Sequence, residues 1–279
     1  MKRTLVALAA LVAGHAAALA QDYPTRAITL MVPFAAGGPT DTIARIVGES
    51  FSRTLKQPVL IENVAGAGGT TGSARASQAA ADGYTLLMGH MGTHGAAPAL
   101  YPALKYNPAK DFTPIGLVAG TPIVIVTRLD FPAKTLKDFI AYTKTNGAKV
   151  TEAHAGVGSV SHTTCTLFHS IAGTKTARLA YRGTGPALND LVAGQVDFGC
   201  DQIVNLVSQI EGGKVRALAI ATKQRSPALK DVPTTAEAGL PQYKHDGGWF
   251  AMFAPANTPM DIVDKLHRDG TLKIDVVDR

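Results

Sequence analysis

The stretch Ile28-Thr29-Leu30-Met31-Val32-Pro33-Phe34-Ala35-Ala36-Gly37-Gly38-Pro39-Thr40 passes from an apolar run through a glycine loop into a segment with helical spacing. From Asp41 to Leu55, the side chains of Ile43, Ile46, Val47 and Phe51 recur on one face, as a helix packed on a core requires. The device returns farther along the chain, where Gly156-Val157-Gly158-Ser159 leads into Ser161 and His162. Neither loop carries Lys or Arg. Glycine lets a backbone bring its N–H groups close to a ligand, and a helix start adds about half a positive charge. Two such starts facing one another would hold a small anion by main-chain dipoles.

Outward from these loops, β-rich apolar runs alternate with helix-like stretches, which predicts an α/β architecture with largely parallel sheets. Strands are expected at 28–32, 59–62, 84–88, 115–118, 123–126, 177–181, 215–221 and 249–253, and helices at 41–55, 138–142 and 187–193. The apolar runs from Phe112 to Thr127, broken only by Gly120 to Pro122, read as a chain crossing from one lobe to another. The return crossing is expected near Gly247-Gly248-Trp249. The boundaries that follow are residues 21–122 with 248–279 for one lobe and 123–247 for the other.

Lys2, Arg3, the apolar run from Leu5 to Val12 and the small-residue site Ala18-Leu19-Ala20 read as an export signal cleaved near Ala20. That apolar run is shorter than the ~20 residues a bilayer-spanning helix needs. A net charge of +6 in 279 residues is scattered, with few aromatics beside the basic residues, and gives no nucleic-acid footprint. Cys165 and Cys200, in an oxidising compartment, could form one disulfide; two free buried thiols, or a catalytic Cys165 with His162 three residues before it, are the alternatives.

The remaining motifs fail as catalytic or cofactor signatures. Gly66-Ala67-Gly68-Gly69-Thr70-Thr71-Gly72 lacks the Lys-Ser/Thr that completes a phosphate loop. No G-x-S-x-G elbow occurs, and Ser161 and His162 are sequence neighbours that would diverge on a helix. His90 and His94 have i,i+4 spacing, but no carboxylates cluster around them as a zinc site would want. The reading is a binding protein without metal or cofactor. The runner-up is a secreted hydrolase or thiol enzyme using His162 with Ser159, Ser161 or Cys165.

Several further stretches share an order that resembles a known family. They are Tyr23-Pro24; Pro33 to Gly38 with Asp41 and Ala44-Arg45; Glu62-Asn63 before Gly66 to Gly69; Asp82 to Leu87; Tyr181 to Leu188; Gly194 to Asp197; Asp231 to Thr234; and Phe253 to Pro255. In that order they resemble the Bug-type periplasmic receptors of tripartite tricarboxylate transport systems. The resemblance implies a type II periplasmic binding fold, two lobes around a ligand cleft, in a monomer that delivers a small carboxylate to membrane transporter subunits. It implies no catalytic residues. Carried over by position, it assigns Phe34, Ala36, Gly37 and Thr40 to the first wall and Ser159, Ser161 and His162 to the second. Gly89, His90 and Met91 would form a third, with Thr184, Gly185 and Asp201 near the cleft, while Arg45, Asp82, Asp197 and Trp249 would match for structural reasons. Di- and tricarboxylates fit, as do aromatic acids, because the loops lack basic residues. His90 departs from the small residue the family often carries, which bears on ligand choice. The family usually continues beyond the helix begun by Pro259, and Gly270 to Arg279 does not read like that continuation, so a shortened chain or a small first lobe is expected.

Overall fold

The computed structural model describes residues 23–245 and 248–270. The export signal, Gly247 and residues 271–279 lie outside the described residues. In order, the elements are β1 (Ile28–Val32), α1 (Pro39–Leu55), β2 (Val59–Asn63), α2 (Thr70–Ser77), β3 (Thr85–His90), α3 (Ala97–Leu100), β4 (Phe112–Thr121), β5 (Ile123–Arg128) and α4 (Leu136–Asn146). They continue as β6 (Thr151–His154), α5 (Val160–Ala172), β7 (Ala177–Ala180), α6 (Thr184–Val192), β8 (Phe198–Gln202), α7 (Val207–Glu211), β9 (Val215–Ile220), β10 (Gly248–Pro255) and α8 (Met260–Gly270).

Two five-stranded sheets result, one ordered β2-β1-β3-β10-β4 and the other β7-β6-β8-β5-β9. In the first, β1 runs parallel to β2 and β3, whereas β10 is antiparallel to both β3 and β4. In the second, β6 is parallel to β7 and β8, whereas β5 is antiparallel to β8 and β9. Each sheet is therefore mixed where a largely parallel one was expected. The crossing strands cause the difference: β5 enters the second sheet, and β10 the first, against the direction of the βαβ strands beside them.

Each sheet is covered on both faces, so adjacent residues of a strand are both apolar. Ile28, Leu30 and Val32 of β1 pack with Ile43, Val47 and Phe51 of α1, while Met31 faces the cluster that holds Ala76 of α2. Ile123 and Ile125 of β5 join Phe139 of α4 and Phe168 of α5, whereas Val124 and Val126 join Ala187 and Leu191 of α6. The chain changes sheets at Thr121-Pro122-Ile123. There Gln202 Nε2 donates to Thr121 Oγ1 at 2.6 Å and the Ile203 N–H donates to the Pro122 carbonyl at 2.9 Å. Behind the second sheet, Cys165 of α5 and Cys200 of β8 form a disulfide.

Candidate functional site

Between the two sheets lies a cavity of about 20 Å3 onto which three helices open their first turns. Gly38, Pro39 and Thr40 bring the start of α1, Ser159, Val160 and Ser161 bring the start of α5, and Thr184 brings the start of α6. Phe34, His90, Ala155, Asp201 and Gln202 complete its lining. The first N–H groups of a helix have no acceptor within it, and each such end carries about half a positive charge. Three ends aim partial positive charge at one cavity, although no Lys or Arg lines it.

The start of α1 is held by a hydrogen-bond network. Gly37 takes φ +84°, a conformation open to glycine, and turns its N–H onto Asp41 Oδ2 at 3.0 Å. Arg45 grips the same carboxylate through Nε at 2.9 Å and Nη2 at 3.0 Å. Asn63 Nδ2 donates both to Asp41 Oδ1 at 2.9 Å and to the Phe34 carbonyl at 3.0 Å. Burial alone would raise the Asp41 pKa, but the Arg45 guanidinium, the Gly37 N–H and the Asn63 amide outweigh it and hold the carboxyl below its ordinary range. Arg45 is thus structural, as are Asp82, which pairs with Arg26, and Asp197, which pairs with Arg128.

His90, at the end of β3, is only 2% exposed and lies against the Phe34 ring with centroids 5.0 Å apart. Its Nδ1 accepts from the Gly92 N–H at 2.8 Å, so the ring proton belongs on Nε2. Burial, helped by neighbouring His94, pushes its pKa down to about 3. His90 therefore adds a neutral ring donor to the lining. His94 turns away from the cavity and stacks on Phe253 with centroids 3.9 Å apart. Among the described residues no group of three or more His, Cys, Asp or Glu side chains could hold a metal ion.

In the second lobe, Ser159 caps α5, its Oγ accepting from the His162 N–H at 3.3 Å. Ser161 Oγ accepts from the Ala155 N–H at 3.0 Å and lies 3.2 Å from Ser159 Oγ. The loop glycines are tied down by rings, Gly156 N–H to His154 Nδ1 at 3.1 Å and Gly158 N–H to His162 Nδ1 at 3.3 Å. Burial lowers the pKa of both histidines. Asp201 comes from the end of β8 and is 8% exposed. It accepts from the Gln202 N–H at 2.8 Å and from Asn205 Nδ2 at 3.0 Å. Burial nevertheless raises its pKa to about 6.

Seven of the residues singled out from the sequence line the cavity: Phe34, Thr40, His90, Ser159, Ser161, Thr184 and Asp201. Six do not. Ala36 and Gly37 are exposed at the rim, facing Gly185, whose Cα lies 3.7 Å from where a Cβ on Gly37 would stand. Gly89 is pressed against the His94 ring, Met91 packs on the second lobe's core, and His162 faces His154 with centroids 4.9 Å apart. The sequence reading placed Gly38 in the first loop without assigning it as a contact, and passed over Pro39, Ala155, Val160 and Gln202. Pro39 was readable, because proline at the first helical position marks a helix start.

Two expectations are corrected. The Gly37 N–H is spent on Asp41, so the α1 donors left over are the first-turn N–H groups after Pro39. The hydrolase or thiol-enzyme alternative also lacks its parts. Cys165 is bridged, among the described residues no serine hydroxyl bonds to His162 Nδ1, and Ser159 and Ser161 serve backbone N–H groups.

The lobes also touch around the cavity. The Ala35 N–H donates to the Arg182 carbonyl at 3.0 Å, and Tyr101 Oη to the Val157 carbonyl at 2.8 Å. Gly68, at φ +61°, lies so close that an added Cβ would collide with the Val157 carbonyl oxygen.

Residues 43–275 match the family described as tripartite tricarboxylate transporter family receptor, TctC. The chain belongs to this receptor family. Bordetella pertussis BugT is 36% identical over 262 residues, covering 92% of this receptor and 79% of BugT. Among solved structures, MatC of Rhodopseudomonas palustris with bound malate is 48% identical at a TM-score of 0.85, covering 89% of this receptor and 84% of MatC. A second R. palustris protein, solved with adipate, is 34% identical at a TM-score of 0.86, covering 89% and 83%. The receptor is thus a solute-binding protein of two-lobed periplasmic-binding architecture. Among its described residues no helix is long and apolar enough to cross a membrane.

Proposed function

We propose that this receptor captures a small carboxylate between its lobes and hands it to the membrane subunits of a tripartite tricarboxylate-type transporter without altering it. The observation that carries this reading is the meeting of three helix starts at a cavity lined by hydroxyl, amide and ring donors and one acidic side chain, Asp201, with no cationic side chain. Such a site suits an anion that must be released again, since first-turn N–H groups hold it without a buried ion pair. Malate in MatC and adipate in the second R. palustris protein, both dicarboxylates, support a ligand with two carboxylates. The contacts we assign to it are Phe34, Thr40, His90, Ser159, Ser161, Thr184 and Asp201. We assign lobe boundaries at 21–122 with 248–279 and at 123–247, which the division of β1–β4 and β10 from β5–β9 between the two sheets supports. Cleavage near Ala20 would deliver the chain to the periplasm as a monomer.

A cavity of about 20 Å3 has room for roughly one water, so a four-carbon acid is admitted only when the lobes part. Ligand that gains contacts from both lobes on closure shifts the population toward the closed form. A thermal-shift screen of mono-, di- and tricarboxylates, aromatic acids and amino acids tests the reading. At a hundredfold excess over Kd, the right acid should stabilise the receptor by about 2.7 kcal/mol, a Tm rise of roughly 5 to 10 °C. Recovery of the acid unchanged is expected. A response confined to cationic or neutral compounds, or turnover of an ester or amide, would contradict it.

A further inference from the structure

The cavity that the carboxylate reading fills with an anion already contains a carboxyl group of its own. Asp201 stands on β8 at the α6 end of the lining, beside Thr184. Among the described residues lining the cavity and the space behind it, none supplies a cation. His90, the other titratable residue of the lining, is a neutral Nε2–H donor. α6 offers Thr184, the turn after β8 offers Asn205, and the space behind is closed by apolar side chains including Val126, Ala187 and Leu206. Alternation along β6 puts Glu152 and His154, with His162, on the opposite face of the sheet under α5.

Two ionised carboxylates in one small, water-poor cavity repel strongly, and a shared proton is how such pairs coexist. Resting on the carboxylate reading above, we propose that Asp201 is protonated in the complex and donates that proton in a carboxyl–carboxylate hydrogen bond to the ligand, so that each acid bound brings about one proton from solvent. No covalent bond changes; the proton moves from water to Asp201 and is returned on release. In the free receptor Asn205 suits both states of Asp201, since its Nδ2 donates to the ionised carboxylate and its Oδ1, buried without a partner, could accept from the protonated one after an amide turn; in the complex Nδ2 stays on Asp201 and the proton is given to the ligand. Asp201 then discriminates among ligands. An acid that places a carboxylate against it is accepted only with a proton, whereas an amide at that position can donate its N–H to the ionised Asp201 and needs none.

The sign follows from burial, which sets the free carboxyl near 6. A ligand carboxylate raises it further. Below about pH 6 the proton is present before binding and affinity is level; above it the proton must be taken up and affinity falls by about tenfold per pH unit. The experiment is calorimetry with L-malate and with adipate, in buffers of different ionisation enthalpy, on the wild type and on Asp201→Asn. The wild type should take up about one proton per acid at pH 7.5 and lose affinity from pH 6 to 8. The asparagine variant, which keeps the shape without the charge, should bind with no uptake and a level profile. Wild-type binding without proton uptake, equal uptake by the variant, or a folded variant that binds neither acid at any pH would overturn the proposal. If a folded wild type gives no heat with either acid, the carboxylate reading itself fails and the proposal falls with it.

Discussion

The two glycine loops that frame the cavity look alike in sequence and are fixed in different ways. The first is moored through polar side chains, with Asp41 at the centre and Gly37, Arg45 and Asn63 bonded to it. The second is moored by the Ser159 cap, two histidine rings under its glycines and a disulfide behind α5. In both, glycine N–H groups bond within their own lobe. The difference teaches that these glycines allow close approach of backbone to backbone, while the donors left for a ligand belong to the helix turns that follow.

The largest expected effect concerns the second loop's mooring. The disulfide closes a segment with a sequence separation of 35. Its removal by reduction, or in a Cys165→Ala/Cys200→Ala variant, should cost roughly 3 to 4 kcal/mol in urea unfolding. Because the bridge lies in the second lobe alone, an equal loss of protection in both lobes by hydrogen exchange would show that the two moorings are not separate.

A second test separates close approach from gripping. Gly68→Ala should weaken carboxylate binding about tenfold to a hundredfold in calorimetry, because its Cβ runs into the Val157 carbonyl as the lobes shut. Gly37→Ala has ordinary contact distance to Gly185 and a positive φ to strain, so it should cost about 1 to 2 kcal/mol of folding stability and little affinity in the variant that folds. The opposite ranking would return the ligand-gripping role to Gly37.

The third prediction is a pH effect in the first lobe. His90 is buried neutral, with its folded pKa far below that of the unfolded chain. Its stabilising contribution is complete above about pH 6.5 and falls as the unfolded state takes up a proton, by about 2 kcal/mol between pH 6.5 and 5. Urea unfolding without ligand should show a shallower decline for His90→Gln. An identical slope would mean that His90 meets solvent in the free protein. Smallest is Ser159→Ala, which removes the α5 cap and should cost about 1 kcal/mol, with a similar fraction of the affinity.

Much of this arrangement was legible in the residues. Strand β1, its loop and helix α1 follow from an apolar run, a glycine pair and a 3.6-residue stripe, and the crossing at Pro122 was visible as a break between two apolar runs. Strands β6 and β8 were not. Thr151-Glu152-Ala153-His154 reads as polar, yet Glu152 is fully buried because His169 Nε2 lies 2.7 Å from its Oε2 and Arg178 approaches it from the edge. Phe198-Gly199-Cys200-Asp201-Gln202 has a single large apolar residue, and its place in the middle of a sheet is set by neighbours on both sides. The convergence of a third helix start, at Thr184, is likewise a property of sheet order, which residue spacing does not encode.

The most direct test of the central claim is a crystal structure of the receptor with its best-binding acid. A ligand carboxylate should lie within hydrogen-bond distance of first-turn N–H groups from at least two of α1, α5 and α6, with the His90 Nε2–H nearby. A carboxylate held instead by a guanidinium or ammonium group, or seated outside the cavity between the sheets, would contradict the account.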